Sequence, residues 1–270
     1  MIKIGTGVLT GDNNVVLDKP AFLEIARAVA QLKSFGYKVM IVSSGAVGAG
    51  LTEFGIKKRP ESVAITQAFA SIGQAKLLSI YRKNLSVWDL HVGQILLTNA
   101  DLKSTKRRER VLRTLDAMLD MNDVIPIINE NDTVAPEHEH EKFDGNDILA
   151  ANIAALCGAR QLLMLTTVDG LLARNEDGSR KLVREVADLE DVMSLVEESK
   201  GAISVGGMQS KLEAVQFALI HGVETFIANG KYASQIPALI AGDYKKRTRF
   251  TPDFEPVFSD GDKPEIKPLG

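Results

Sequence analysis

Cysteine, tryptophan and histidine are scarce: the 270 residues hold one Cys, one Trp and four His, and aromatic residues reach only 6%. The single Cys157 lies in an apolar Ala/Leu stretch and forms no intrachain disulfide, which excludes a disulfide-stapled scaffold and fits a reducing compartment. No charge of one sign dominates, since 32 Lys and Arg face 35 Asp and Glu for a net charge of -3. There is thus no global basic field for a polyanion, and nucleic acid is not expected as a ligand. No apolar run approaches the roughly 20 residues of a membrane span, and the N-terminus lacks a charged segment leading into an apolar core and cleavage site. The expectation is a cytoplasmic chain with no membrane partner. No Ser occupies a Gly-x-Ser-x-Gly elbow and Cys157 has only apolar neighbours, so neither a Ser-His-Asp nor a Cys-His mechanism is arguable.

What is present is ordinary globular material, 45% hydrophobic and 25% charged. Short Val/Ile/Leu runs at Val39–Ser43, Gly93–Leu97, Val124–Ile128, Gln161–Leu165 and Thr225–Ala228 have the length of buried strands. Between them, Pro20–Phe35, Glu61–Leu85, Lys106–Leu119, Asp147–Leu156 and Met208–His221 carry apolar residues at helical spacing. The alternation predicts an α/β fold with helices flanking a mostly parallel sheet. With no linker to divide it, residues 1–250 read as one domain, and Thr251–Gly270, with Pro252, Pro256, Pro264 and Pro268, as an extended tail.

Four segments place small or polar residues directly after an apolar run: Lys3-Ile-Gly-Thr-Gly7, Ser43-Ser-Gly-Ala46, Asn129-Glu-Asn-Asp132 and Thr166-Thr-Val-Asp-Gly170. In an open parallel sheet ligands bind beyond the carboxyl ends of the strands, so these loops should converge on one crevice. Gly5, Gly7 and Gly45 with Ala46 would let backbone N–H groups approach an anion, or they form tight turns. Neither loop has the Walker A sequence or the Rossmann spacing.

Lys211, in Ser204-Val-Gly-Gly-Met-Gln-Ser-Lys211, falls in the first turn of an expected helix, against the macrodipole unless an anion such as phosphate lies beside it. A solvated Lys is the alternative. Lys3, at the edge of the first glycine loop, poses the same choice. In Phe143-Asp-Gly-Asn-Asp147 one of Asn146 and Asp147 suffices as a helix N-cap, and a carboxylate there could instead hold two ammonium groups in place. Asp132 could bind an amino group or stabilise a turn. His138 and His140 lie in a highly charged run that reads as solvated loop rather than zinc site, and Lys106-Arg-Arg-Glu-Arg110 reads as the solvated face of an amphipathic helix.

Taken together, Lys3-Ile-Gly-Thr-Gly-Val-Leu-Thr10, Ile41-Val-Ser-Ser-Gly-Ala46, His91-Val-Gly-Gln-Ile-Leu-Leu-Thr98, Pro126-Ile-Ile-Asn-Glu-Asn-Asp132, Gly145-Asn-Asp147 and Gly206-Gly-Met-Gln-Ser-Lys211 resemble the glutamate 5-kinases, or gamma-glutamyl kinases, of the amino-acid-kinase family. The resemblance implies a three-layer α/β/α sandwich with an acceptor half over about residues 1–156 and a nucleotide half over about 157–250. It implies transfer of the ATP γ-phosphate to the side-chain carboxylate of L-glutamate, the first step towards proline. Lys3 and Lys211 would neutralise the moving phosphoryl group and Asp147 would orient them. Ser44, Gly45, Ala46, Asn129, Asp132 and Asn146 would form the glutamate site. Lys3, Gly5, Thr6, Gly7, Thr166, Thr167, Val205, Gly206, Gly207, Met208 and Lys211 would hold ATP, with Mg²⁺ bound mainly by its phosphates and no dedicated protein ligands. Further implications are inhibition by L-proline, assembly as a homo-oligomer (dimer or tetramer), and the absence of the C-terminal PUA domain found in many bacterial members. The chain departs from the family pattern where Asp144-Gly145 replaces Gly-Asp, where Thr167 replaces a common Asp, and where Ser204-Val205 replaces Gly-Thr.

Overall fold

A computed structural model describes residues 1–10, 16–135, 145–174, 177–190 and 205–252. The chain runs β1 (Ile2–Ile4), α1 (Thr6–Leu9), α2 (Lys19–Ser34), β2 (Ile41–Ser43), α3 (Ala46–Glu53), α4 (Val63–Leu85) and β3 (His91–Leu97). It continues through α5 (Asn99–Lys103), α6 (Thr105–Asp120), β4 (Val124–Glu130), α7 (Asn146–Leu156) and β5 (Gln161–Thr166). A small antiparallel pair, β6 (Leu172–Arg174) and β7 (Arg180–Leu182), precedes β8 (Glu185–Val186), α8 (Val205–Ile220), β9 (Glu224–Asn229), α9 (Ile236–Ala241) and β10 (Arg247–Phe250).

The main sheet has the order β3-β4-β2-β1-β5-β9-β10-β8. Its first six strands are mutually parallel. β1 lies between β2 and β5, with Lys3 in register with Val42 on one side and Met164 on the other. The order of connections reverses at this strand, which makes its carboxyl end the natural ligand crevice. Alternation along β1 then divides its side chains: Ile2 and Ile4 enter one apolar layer and Lys3 faces the opposite side.

Two apolar layers cover the two faces. One joins Phe22, Ile25 and Val29 of α2 with Leu77 and Tyr81 of α4 and Leu239 of α9. The other joins Leu115 of α6, Leu149 and Ile153 of α7, and Leu212 and Val215 of α8. Helix starts follow local chemistry. Asp18 accepts a hydrogen bond from Ala21 N at 3.3 Å to cap α2, and Asp101 accepts one from Thr98 N at 2.8 Å at the head of α5. The fold is the three-layer sandwich with a mostly parallel sheet that the residue pattern and resemblance imply.

Three details differ from the sequence reading. The sheet does not end near Ala228: β10 adds antiparallel to β9, and its Arg-Thr-Arg-Phe sequence has too few apolar residues to signal a strand. α4 is long and apolar enough to meet a length-and-composition test for a membrane span, contrary to expectation. It nevertheless carries Lys76, Arg82 and Lys83 and buries Leu77, Tyr81 and Leu85. α8 begins at Val205, earlier than the expected Met208, so Lys211 lies in its second turn and not its first. The basic run 106–110 lies on exposed or half-exposed parts of α6, where Arg107 pairs with Asp101 at 3.3 Å. Of the expected tail, residues 253–270 lie outside the described residues.

α3 and α4 cross so closely that a Cβ on Gly73 would lie 1.8 Å from the carbonyl oxygen of Ala46, and one on Gly50 would lie 2.0 Å from that of Phe69. Both obstacles are backbone, so they cannot rotate away. Gly73→Ala is therefore expected to cost about 3 kcal/mol of stability by overpacking, seen as a lowered urea midpoint. An unchanged midpoint would show that the two helices separate at no cost.

Candidate active site

Lys3 points from β1 towards the first turn of α7 and the second turn of α8. Its ammonium lies 2.6 Å from Asp147 Oδ1, and that of Lys211 lies 3.1 Å from Asp147 Oδ2. Lys211 also donates to the carbonyl of Gly207, one turn back, at 2.9 Å. Two lysines widely separated in sequence thus share one carboxylate. All three side chains are largely enclosed, Lys3 most of all at 6% exposure and Lys211 least at 16%. Burial holds the Lys3 ammonium below the ordinary lysine range; Asp147 counteracts this shift and Lys211 adds to it. With two ammonium groups to one carboxylate, the cluster carries an excess positive charge. Such a charge, held in a poorly hydrated place, favours an anion.

Neither Asn146 nor Asp147 is the cap of α7, which corrects one reading left open by the sequence. The N-cap is Gly145, whose φ of 89° suits a residue without a side chain, and both polar residues lie inside the first turn. Their directions differ by about 100° around the helix, so Asp147 meets the lysines while Asn146 faces a neighbouring cavity. A carboxylate at this end of a helix is also favoured by the macrodipole.

That cavity has a volume of about 250 Å³ and is lined by Thr6, Ser44, Gly45, Ala46, Asn129, Asp132 and Asn146, together with Arg59 and Glu130. It is sized for a small metabolite. Asn146 Nδ2 lies within donating distance of Ser43 O at 2.9 Å, Ser44 Oγ at 3.0 Å and Asn129 Oδ1 at 3.0 Å. Because two of these neighbours are carbonyl oxygens, the amide orientation is fixed, and Asn146 Oδ1 is left buried without a hydrogen-bond partner. An orphan acceptor in a polar cavity calls for a ligand donor. Behind it, the Ser43 hydroxyl meets the buried Tyr81 hydroxyl at 2.9 Å, and burial pushes the phenol pKa upward.

On the other side of β1, Thr166 ends β5 and Thr167 follows, exposed. Asn229, at the end of β9, donates to Asp169 at 3.0 Å and so ties this loop to the neighbouring strand. Gly207 has open space above its Cα, whereas Met208 packs on the α7–α8 core. Gly5 differs from expectation: its N–H is taken by Leu165 O at 3.0 Å, so it cannot cradle an anion. Thr6 and Gly7 instead open the helical turn α1, and Thr6 borders the acceptor-side cavity. The backbones of Val205 and Gly206 lie in α8. Asp144, Ser204 and both His138 and His140 fall outside the described residues. Among the described residues no group of three or more His, Cys, Asp or Glu could hold a metal.

Sequence reasoning missed Arg59 and Asn229, and it singled out the segments holding Glu130 and Asp169 without giving either residue a role. Neither Arg59 nor Asn229 lies in a glycine-rich motif. Arg59 is in the link before α4, where only the fold reveals its place at the cavity.

The fold and the shared-carboxylate cluster define an α/β/α sandwich with two lysines on one carboxylate at the crevice and no Walker A sequence. Residues 1–229 match the amino acid kinase family, and the chain belongs to it. It is 35% identical over 260 residues to a glutamate 5-kinase from Salmonella paratyphi B, an alignment covering 95% of this chain and 70% of that relative. A glutamate 5-kinase from Vibrio parahaemolyticus is 36% identical over 255 residues, covering 93% and 66% of the two chains. Among solved structures, a carbamate kinase from Giardia lamblia bound to AMP-PNP superposes with a TM-score of 0.66 at 16% identity, covering 93% of this chain and 97% of that one. An isopentenyl phosphate kinase does so with 0.62 at 17%, covering 93% and 98%.

Removing the shared carboxylate should harm the fold more than removing one lysine. Asp147→Asn leaves two enclosed ammonium groups facing each other and is expected to cost about 3 kcal/mol. Lys211→Met leaves the Lys3–Asp147 pair intact and should cost less. Urea unfolding of both variants checks the ordering, and equal or reversed losses would contradict it.

Proposed function

We propose that this chain is an ATP-dependent glutamate 5-kinase, transferring the γ-phosphate of ATP to the side-chain carboxylate of L-glutamate to give L-glutamyl 5-phosphate. The observation that carries the reading is the placement of the two-lysine cluster against an amino-acid-sized cavity, joined through consecutive residues Asn146 and Asp147. The family relationship and the glutamate 5-kinase relatives support the same substrate pair.

The chemistry fits the residue types. A side-chain carboxylate with a reference pKa near 4.3 is ionised at neutral pH, so the nucleophile needs no general base. A carboxylate oxygen bonds to the γ-phosphorus as the bond to the β,γ-bridging oxygen breaks, and ADP departs with that electron pair. The difficulty is bringing two anions together while charge spreads over the phosphoryl oxygens. Lys3 and Lys211 are preorganised for this task, held by Asp147 and so requiring little rearrangement at the moment of transfer. On the acceptor side, the Asn146 carbonyl and Asp132 suit an ammonium group, with Ser44, Gly45, Ala46 and Asn129 shaping the wall. On the nucleotide side, Gly7, Thr166, Thr167, the backbone of Val205–Gly207 and Lys211 would surround the phosphates, with Thr6 at the border of the acceptor cavity. Gly5 serves as a packing residue.

Mg²⁺ would be held chiefly by ATP oxygens, where it supplies Lewis-acid neutralisation; the lysine-rich cluster fits a phosphate and not a bare cation. The reading divides the domain into an acceptor half of about residues 1–156 and a nucleotide half of about 157–250. It also carries a cytoplasmic setting, homo-oligomeric assembly and feedback inhibition by L-proline.

Trapping acyl phosphate as hydroxamate, with ATP and Mg²⁺ and with glutamate, N-acetylglutamate or aspartate offered in parallel, tests the assignment. Product is expected from glutamate. Its absence rejects the reading, and preference for the acetylated acid would point to a sister kinase. Lys211→Ala is expected to lower kcat about 100-fold; unchanged turnover would remove Lys211 from the mechanism.

A further inference from the structure

Arg59 stands apart from every charge network described above. It lies in the link between α3 and α4, lines the acceptor cavity, and is exposed. Among the described residues it makes no ion pair or side-chain hydrogen bond. The other charged residues on the cavity wall, Glu130 and Asp132, are carboxylates, so among the described residues Arg59 is the single cation there. A glutamate whose side-chain carboxylate points to the Lys3–Lys211 cluster presents two further charges, its ammonium and its α-carboxylate. The ammonium suits Asp132 and the orphan carbonyl of Asn146. Leaving the α-carboxylate beside two acidic side chains without a cation would cost binding energy.

We infer that Arg59 is a specificity-determining residue that pairs with the α-carboxylate of the acceptor. The inference rests on the glutamate kinase reading and extends it. The guanidinium fork matches a carboxylate bidentately, and its flexible stem can swing in when the ligand enters. The position is also tied to the ammonium side of the cavity. Thr66 Oγ1 of α4 donates to Pro60 O at 3.3 Å, next to Arg59. The next residue, Gln67, donates through Nε2 to Ala135 O at 3.2 Å, and one turn on Ser71 Oγ meets Thr133 Oγ1 at 2.7 Å, which secures the loop carrying Asp132. The start of α4 thus sets the spacing between one cation and one anion, a ruler for a free α-amino acid.

The test compares L-glutamate with two ligands that lack the α-carboxylate charge but keep the reacting carboxylate: its α-amide, isoglutamine, and 4-aminobutanoate. Wild type, Arg59→Gln and Arg59→Lys are assayed by hydroxamate formation and by calorimetric binding without ATP. Wild type should prefer glutamate to isoglutamine by about 30-fold, the worth of a hydrogen bond between charged groups. Arg59→Gln should raise the glutamate KM by about the same factor, place little of the loss on kcat, and nearly abolish the preference. Arg59→Lys should restore part of it. A glutamate affinity unchanged in Arg59→Gln, or lowered equally for all three ligands, overturns the inference alone. Should wild type form no acyl phosphate, the kinase reading fails, yet calorimetry still decides: glutamate binding lost and isoglutamine binding kept in Arg59→Gln upholds the pairing. Failure of wild type to bind glutamate overturns both.

Discussion

One carboxylate held between two ammonium groups organises this molecule. Asp147 can play that part only if three elements meet at the right height: the end of β1 with Lys3, the first turn of α7, and the second turn of α8 with Lys211. The apolar layer beneath α7 and α8 fixes that meeting, since α7 is buried almost all round and its alanines let α8 lie close. The burial that builds the layer also pushes the Lys3 ammonium below its ordinary range. An enclosed excess of positive charge is thus a direct product of core packing.

The second constraint is the angular offset between neighbouring residues of one helix. Asn146 and Asp147 belong to the same turn yet serve different spaces, the cavity and the charge cluster. Gly145 makes this possible by starting the helix itself, so that neither neighbour is spent on capping. A nucleophile in the cavity and a phosphate at the cluster would then be located by a single rigid element, which is how proximity is best secured.

Much of this was legible from the residues. The five strand runs and five helical stretches all occur, with ends shifted by a few residues, because each carries a regular apolar pattern that is buried in one of the layers. Lys3, Asp147 and Lys211 could be singled out by motif, but their contact is long-range and only the fold displays it. What escaped had weak local signals. β10 alternates with arginines and draws its stability from pairing with β9. The bond from Gly5 N to Leu165 depends on a strand distant in sequence. Arg59, one charge among many in a polar link, acquires meaning only from the cavity it borders.

β1 is hydrogen-bonded on one side to a strand some 40 residues later and on the other to one some 160 later, as Lys3 faces Val42 and Met164. The central strand therefore remains half-paired while most of the polypeptide emerges from a ribosome. During that interval its apolar neighbours are an open edge, and the closing step is a distant encounter of the sort that slows folding. Newly made chains should depend on β5 to complete the middle of the sheet, and a truncation before Gln161 would expose a sticky, unfinished edge rather than yield a smaller working unit.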